Sequence, residues 1–180
     1  MKHLLFIIVF IGLNSYCQSK YLTKTGSVSF EASVPSFEEV SAQTNTVTSI
    51  LNVENGEFAT LILVKGFKFK NALMEEHFNE NYAESDKFPK ATFKGVIKGF
   101  SPAMLGSQKS FQLNGELSFH GRSKKIEVVG ATLLSESDFI KMSGSFTIKS
   151  SDFNIVIPKI VSNKVSEMVN ISFNFNLLPM

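Results

Sequence analysis

The sequence predicts an all-β domain: a closed antiparallel β-barrel of about eight strands, with one helix inserted beside its mouth. Three observations predict it. Several long runs alternate apolar and polar residues with the period of a half-buried strand. Phenylalanine supplies 18 of 180 residues, while tryptophan is absent and proline stands at 5. One helix-like segment, beginning near Asn71, interrupts the strands after the third or fourth. An open sheet of this size would leave an apolar edge unpaired, and closure removes that edge.

Ser27 to Ala32 places Val28, Phe30 and Ala32 on one face. Thr46 to Val53 leads to Asn55-Gly56, a two-residue hairpin signal. Glu57 to Lys70 reads as one strand, apolar on both faces through Ala59, Leu61, Ile62, Leu63 and Val64. Such a strand needs cover on both sides, and the helix it feeds is the expected lid. Asn71 is a fair helix cap. Leu73, Met74, His77, Phe78 and Tyr82 then fall at spacings of three and four and form one stripe. Glu75, Glu76, Glu80 and Glu84 mostly face away, the early ones suiting the positive helix end. Pro89 restricts Phe88 and separates helix from strand.

Beyond the helix the alternation is cleaner. Phe93, Gly95, Ile97 and Gly99 share one face of the run from Thr92. Phe111, Leu113, Gly115, Leu117 and Phe119 share the next, with Gln112, Asn114, Glu116, Ser118 and His120 facing outward. Gly121-Arg122 turns the chain into Lys125 to Leu134, and Glu136-Ser137-Asp138 turns it again. Ile140, Met142, Gly144, Phe146 and Ile148 point inward, as do Val169, Ile171, Phe173, Phe175 and Leu177 in the last strand. A short helical turn is expected around Ser150 to Phe153. The stretches from Pro35 to Gln43 and from Ile160 to Glu167 read as rim loops or contacts with another protein.

The inward glycines Gly95, Gly99, Gly115 and Gly144 admit two readings. Glycine adds no packing volume, so among phenylalanines it makes room for a cavity. It also relieves crowding and lets a strand bend at a barrel corner.

At the start, Met1-Lys2-His3, an apolar run from Leu4 to Leu13 and Asn14-Ser15-Tyr16-Cys17 have the layout of a secretory signal peptide, residues 1–17. The barrel domain then occupies 18–180, and the protein is exported, periplasmic or secreted. Tyr16 and Asn14 stand where a lipid anchor on Cys17 would need small residues. With cleavage after Cys17 no cysteine remains for a disulfide or a thiolate site. The apolar run is too short to span a bilayer, and no second one follows.

The formal charge is +2 with lysines and carboxylates interleaved, which gives no footprint for nucleic acid. A metal site needs about three converging ligands, and only His77 and Glu80 share a helix face. No cofactor motif and no Gly-x-Ser-x-Gly elbow is present. Glu76 and Glu80 form a solvated face rather than a catalytic pair across a cleft. His77 either hydrogen-bonds into the barrel mouth or meets the polar end of a ligand. Lys68 or Lys70 could meet a lipid phosphate.

Three ordered motifs carry a family resemblance. They are Glu76-His77-Phe78 with Asp86-Lys87-Phe88-Pro89-Lys90-Ala91-Thr92-Phe93-Lys94, then Gly115 to Lys124, then Ser151-Asp152-Phe153-Asn154-Ile155. In these the chain resembles the YceI-like domain, a secreted, lipocalin-like bacterial barrel that binds polyisoprenoid or related lipids. The family's Arg-Asp pair before the helix histidine is replaced by Leu73-Met74-Glu75, and the opening strand is only loosely similar. The resemblance implies an extended apolar lipid, isoprenoid-like or fatty, held inside the barrel without chemistry.

The residues expected to line the barrel are Phe30, Phe69, Phe93, Gly95, Ile97, Phe111, Leu113, Leu117, Phe119, Met142, Phe146, Phe173 and Phe175. Met74, His77, Phe78 and Tyr82 are expected to line the lid. Two rival readings stand beside the carrier: a ligand-free structural or interaction module of the cell envelope, and a small lipid-acting enzyme seeded by His77. Interior volume separates carrier from module. Nothing in the chain fixes the oligomeric state, and a dimer is compatible with it.

Overall fold

Alternating apolar residues pair into the strands they predict, in a computed structural model that describes residues 19–106 and 109–180. The proposed signal peptide lies outside the described residues. The strands are β1 (Lys20–Ser33), β2 (Ser41–Asn52), β3 (Glu57–Leu63), β4 (Lys68–Phe69), β5 (Lys90–Ile97), β6 (Lys109–Phe119), β7 (Arg122–Ser135), β8 (Ile140–Lys149) and β9 (Val165–Pro179). Every pairing is antiparallel, in the order β1-β9-β8-β7-β6-β5-β3-β2, and β2 returns to β1 to close the ring. The ring is therefore an eight-stranded barrel. The two-residue β4 adds only to β2, through Ala42–Phe69 and Gln43–Lys68.

Bulges explain where the alternation looked untidy. The β1–β2 register shifts between Thr23 and Gly26 and again between Gly26 and Val28, so the inward positions run Thr23, Gly26, Val28 and break strict alternation. In β7 the left-handed Gly130 (φ 76°) shifts the register between Phe111 and Gln112. Ile126 and Val128 point inward before it, and Ala131 and Leu133 after it. A bulge re-aims every later side chain, and sequence spacing alone cannot follow that.

Several sequence expectations are corrected. The hairpin after β2 is a four-residue loop closed by Gly56 N–H donating to the Asn52 carbonyl at 2.8 Å; only Gly56, not Asn55, has positive φ. The strand from Glu57 to Lys70 is broken by a 3₁₀ turn at Val64–Gly66. Its outer face is not covered by the helix: Leu61 and Leu63 remain exposed, and the helix packs at the barrel's end instead. The turn into β7 is His120-Gly121, one residue earlier than expected, with φ of 48° and 70°. Positive φ at both central residues is the primed hairpin turn that matches strand twist. The sheet segments also reach into both supposed rim loops, since Ser41–Gln43 belongs to β2 and Val165–Glu167 to β9.

The glycines make room, but rings fill most of it. Gly95 and Gly115 are direct partners across β5 and β6. A β-carbon at either would strike backbone of the other strand and the Phe93 ring. At Gly144 it would come within 2.8 Å of the Phe173 ring. Gly99 is a turn residue (φ 66°) and faces no side chain. Crowding and close approach, not empty space, account for Gly95, Gly115 and Gly144.

The two ends of the barrel differ. At one end Leu51, Ile97, Leu133, Ile140, Met142 and Leu177 are all buried to within 1% exposure. Phe100, Met104 and Leu105 from the segment between β5 and β6 pack against this core. The other end carries the long connections 34–40, 64–89 and 150–164.

Candidate ligand cavity

A cavity of about 390 Å³ opens at the end of the barrel that carries the long connections. Its depth is aromatic. Phe58, Phe93, Phe173 and Phe175 line it, with Phe173 stacked on Phe175 at 5.3 Å and Phe58 tilted on Phe175 at 5.8 Å. Val128, Leu113 and Leu117 complete the inner wall, and Phe119, Phe146, Val169 and Ile171 line it nearer the mouth. These last four are half-buried because the cavity, not protein, stands on one side of them.

The lid is short and held from below. Helix α1 (Ala72–His77) begins at Asn71, whose side chain accepts from Leu73 N–H at 2.9 Å. A π turn continues it over Phe78–Tyr82, with Ala83 N–H reaching back to the Phe78 carbonyl at 2.7 Å. Six α-helical residues would not persist alone in water. Packing fixes them: Phe78 sits 5.3 Å from Phe30, 5.3 Å from Phe69 and 6.0 Å from Phe67, ring centre to ring centre. Ala83 is buried with Val64 and Ala91 in a second small core. Each ring pair of this kind adds about 0.5–1.5 kcal/mol beyond its buried area.

Polar pairs brace the rim. Lys70 pairs with Glu39 at 2.5 Å, Lys68 with Glu75 at 2.6 Å, and Lys124 with Asp152. Lys68 and Lys70, the lysines named for a lipid phosphate, thus each carry a carboxylate partner while staying largely exposed. His120, expected on an outward face, is tucked in by its turn. Its Nε2 lies 2.8 Å from the Glu84 carboxylate and its Nδ1 2.8 Å from the Phe153 carbonyl. Both ring nitrogens are thereby engaged. The hydrogen bond from His120 holds the Glu84 carboxyl below its usual range, with Lys87 assisting against partial burial. Glu39, Glu75 and Asp152 are lowered likewise, chiefly by hydrogen bonds from Lys70, Lys68 and Lys124.

Of the residues predicted to line barrel and lid, Phe30, Phe69, Met74, His77, Phe78, Tyr82, Phe119 and Phe146 border the cavity near its mouth. Phe93, Leu113, Leu117, Phe173 and Phe175 border it deeper in the barrel. Gly95, Ile97, Phe111 and Met142 do not. Ile97, Phe111 and Met142 belong to the packed end, and Gly95 is covered by the Phe93 ring. Leu73 leaves the predicted stripe and points to solvent, 56% exposed. His77 stands exposed at the mouth and has no side-chain hydrogen bond among the described residues, so it does not bond into the barrel. Among the described residues no three His, Cys, Asp or Glu side chains converge.

Sequence reasoning missed Phe58, Phe67 and the inward side of the 154–164 loop, where Ile155, Ile157 and Val161 reach the cavity. The alternation Ile155-Val156-Ile157 ahead of Pro158 was the available signal. Phe67 was hidden by the 3₁₀ turn, which resets the strand period just before it.

The model of the YceI-like domain matches residues 21–177. The chain belongs to the YceI-like domain family. None of the curated proteins matches it in sequence. Among solved structures, this YceI-like chain is similar to a polyisoprenoid-binding domain from Saccharophagus degradans implicated in plant cell wall breakdown. The TM-score is 0.76 at 14% identity, covering 91% of this chain and 99% of that one. It is also similar to Burkholderia cenocepacia BcnA (TM-score 0.69, 18% identity, 86% and 96% covered). A mutant YCEI protein from Campylobacter jejuni aligns at 0.55 and 16% identity, covering 98% and 88%. At these identities the likeness to the YceI-like barrel is one of fold.

Proposed function

We propose that this YceI-like protein binds one extended apolar lipid chain, isoprenoid-like or fatty, inside the barrel and carries or stores it without chemistry. The observation that carries the reading is the cavity itself: about 390 Å³, open at one end, walled by phenylalanine and aliphatic residues. Its size falls among sites for small molecules, which run from roughly 300 to 1,000 Å³. A chain inside is held by area removed from water, about 0.8 kcal/mol for each buried methylene. Ten methylenes contribute about 8 kcal/mol gross on that scale, before ordering costs are subtracted. The Saccharophagus relative, a polyisoprenoid-binding domain, supports the same ligand class. An exported carrier also fits the start of the chain, where Lys2 precedes the apolar run Leu4–Leu13.

Native mass spectrometry of the purified protein tests the reading, followed by titration with a fluorescent long-chain fatty acid. A retained lipid or saturable one-to-one uptake is expected, and Phe78→Ala should weaken uptake about tenfold by opening the ring cluster over the mouth. A protein that purifies empty and takes up neither a fatty acid nor an isoprenoid alcohol is a structural module, and the carrier reading is then wrong.

A further inference from the structure

The connection from β8 to β9 is unusual for a surface loop. Between Asn154 and Lys164 it carries Ile155, Val156, Ile157, Ile160 and Val161, and no carboxylate stands anywhere from Phe153 to Ser166. Ile155, Ile157 and Val161 reach the cavity. Val156 and Ile160 point the other way and are 81% and 85% exposed, the two most exposed large apolar side chains among the described residues. The conformation is built, not slack: Val161 N–H donates to the Pro158 carbonyl at 3.0 Å and Lys164 N–H to the Val161 carbonyl at 2.8 Å. Lys159 and Lys164 make no ion pair among the described residues.

We propose that this loop docks the open end of the barrel on an anionic lipid bilayer, Val156 and Ile160 entering the interface while Lys159 and Lys164 meet head-group phosphates. Exposed apolar side chains flanked by lysines without acids are the composition of a membrane-surface contact. Phe37 and Leu73, on the other two connections around the mouth, are also exposed, at 46% and 56%. Those two connections are tied together by the Lys70–Glu39 pair and by Asn71 donating to Glu38 at 3.3 Å. A second copy of this chain is a poorer occupant, because a loop-on-loop contact would bring Lys159 and Lys164 together with no carboxylate on either loop to pair them. The loop's inner side is cavity wall and its outer side is free. A lipid leaving a docked bilayer would thus pass along Ile155, Ile157 and Val161 without crossing water.

The proposal builds on the cavity as a lipid site, yet vesicle binding is read independently of uptake. The purified protein is sedimented with vesicles of phosphatidylcholine containing phosphatidylglycerol and with phosphatidylcholine alone. It should bind the anionic vesicles more tightly. Val156→Ser with Ile160→Ser should lower that binding about tenfold or more, and Lys159→Glu about fivefold. Both variants should keep fatty-acid uptake from solution, since none of the three residues borders the cavity. Failure of the unaltered protein to bind either vesicle, or undiminished binding by the double variant, overturns the proposal. So does a dimer in sedimentation velocity that the double variant abolishes while vesicles go unbound. Vesicle binding without any fatty-acid uptake would support docking and sink the cavity reading alone.

Discussion

The two ends of the barrel are built from the same eight strands and held in different ways. At the packed end, inward side chains meet one another across the axis, and Met142, Leu133 and Leu177 have no exposure at all. Toward the mouth, inward side chains of the same strands, Phe146 on β8 and Ile171 on β9, are only half-buried because they face the cavity. What packing does not do there, ion pairs and the His120 clamp do between connections. One strand thus runs from solid core to ligand wall within a few residues. The lesson is that an apolar inward position does not identify a ligand contact; its height along the barrel axis does.

The sharpest way to break this comparison is a truncation at each height. Met142→Ala opens a void in a filled region and should cost about 2–5 kcal/mol of stability in chemical denaturation. Phe146→Ala removes more atoms, yet it should cost less than Met142→Ala because its ring already borders free volume. Equal or reversed losses would show that the mouth is packed as tightly as the far end. Next in size is Gly144→Val, whose branched side chain would meet the Phe173 ring and Ala131. Overpacking of this kind costs about 1–3 kcal/mol. If the substitution is neutral, glycine there marks spare room after all, and the cavity reaches further than its lining residues indicate.

Height along the axis is what the sequence could not express. Period-two alternation recovered the inward face of β5, β6, β8 and β9 almost residue for residue, since long regular strands report their own faces. It recovered Phe30 on β1 and the Asn71 cap as well. It could not rank Met142 against Phe146, four residues apart on the same inward face of β8, because both read as apolar. Gly95 and Ile97 were placed on the cavity for the same reason. Local backbone events hid the rest. The bulges in β1 and β7 shift parity, the 3₁₀ turn at Val64–Gly66 conceals Phe67, and the left-handed His120 turns a nominally outward ring into a buried clamp. Each is a long-range or strained feature whose local sequence permits several outcomes.

The smallest expected effect separates the ends by pH. Glu39, Glu75, Glu84 and Asp152 all have lowered carboxyl pKa values, and all four are paired at the open end. A carboxyl that is lowered in the folded state contributes stability above its unfolded value, and that contribution is lost as pH falls through the folded value. Acidification below about pH 4.5 should therefore loosen the mouth before the packed end, which relies on area removed from water. Hydrogen exchange followed by mass spectrometry reads the two ends separately. Peptides covering 34–40, 64–89 and 150–157 should gain exchange first, while those from β2–β3 and β7–β8 near Leu51 and Ile140 hold. Added salt should reduce the difference, since these pairs are largely exposed and screened. Uniform loosening across both ends would mean that the tethers add nothing local, and that the rim is held by the Phe30–Phe67–Phe69–Phe78 cluster alone.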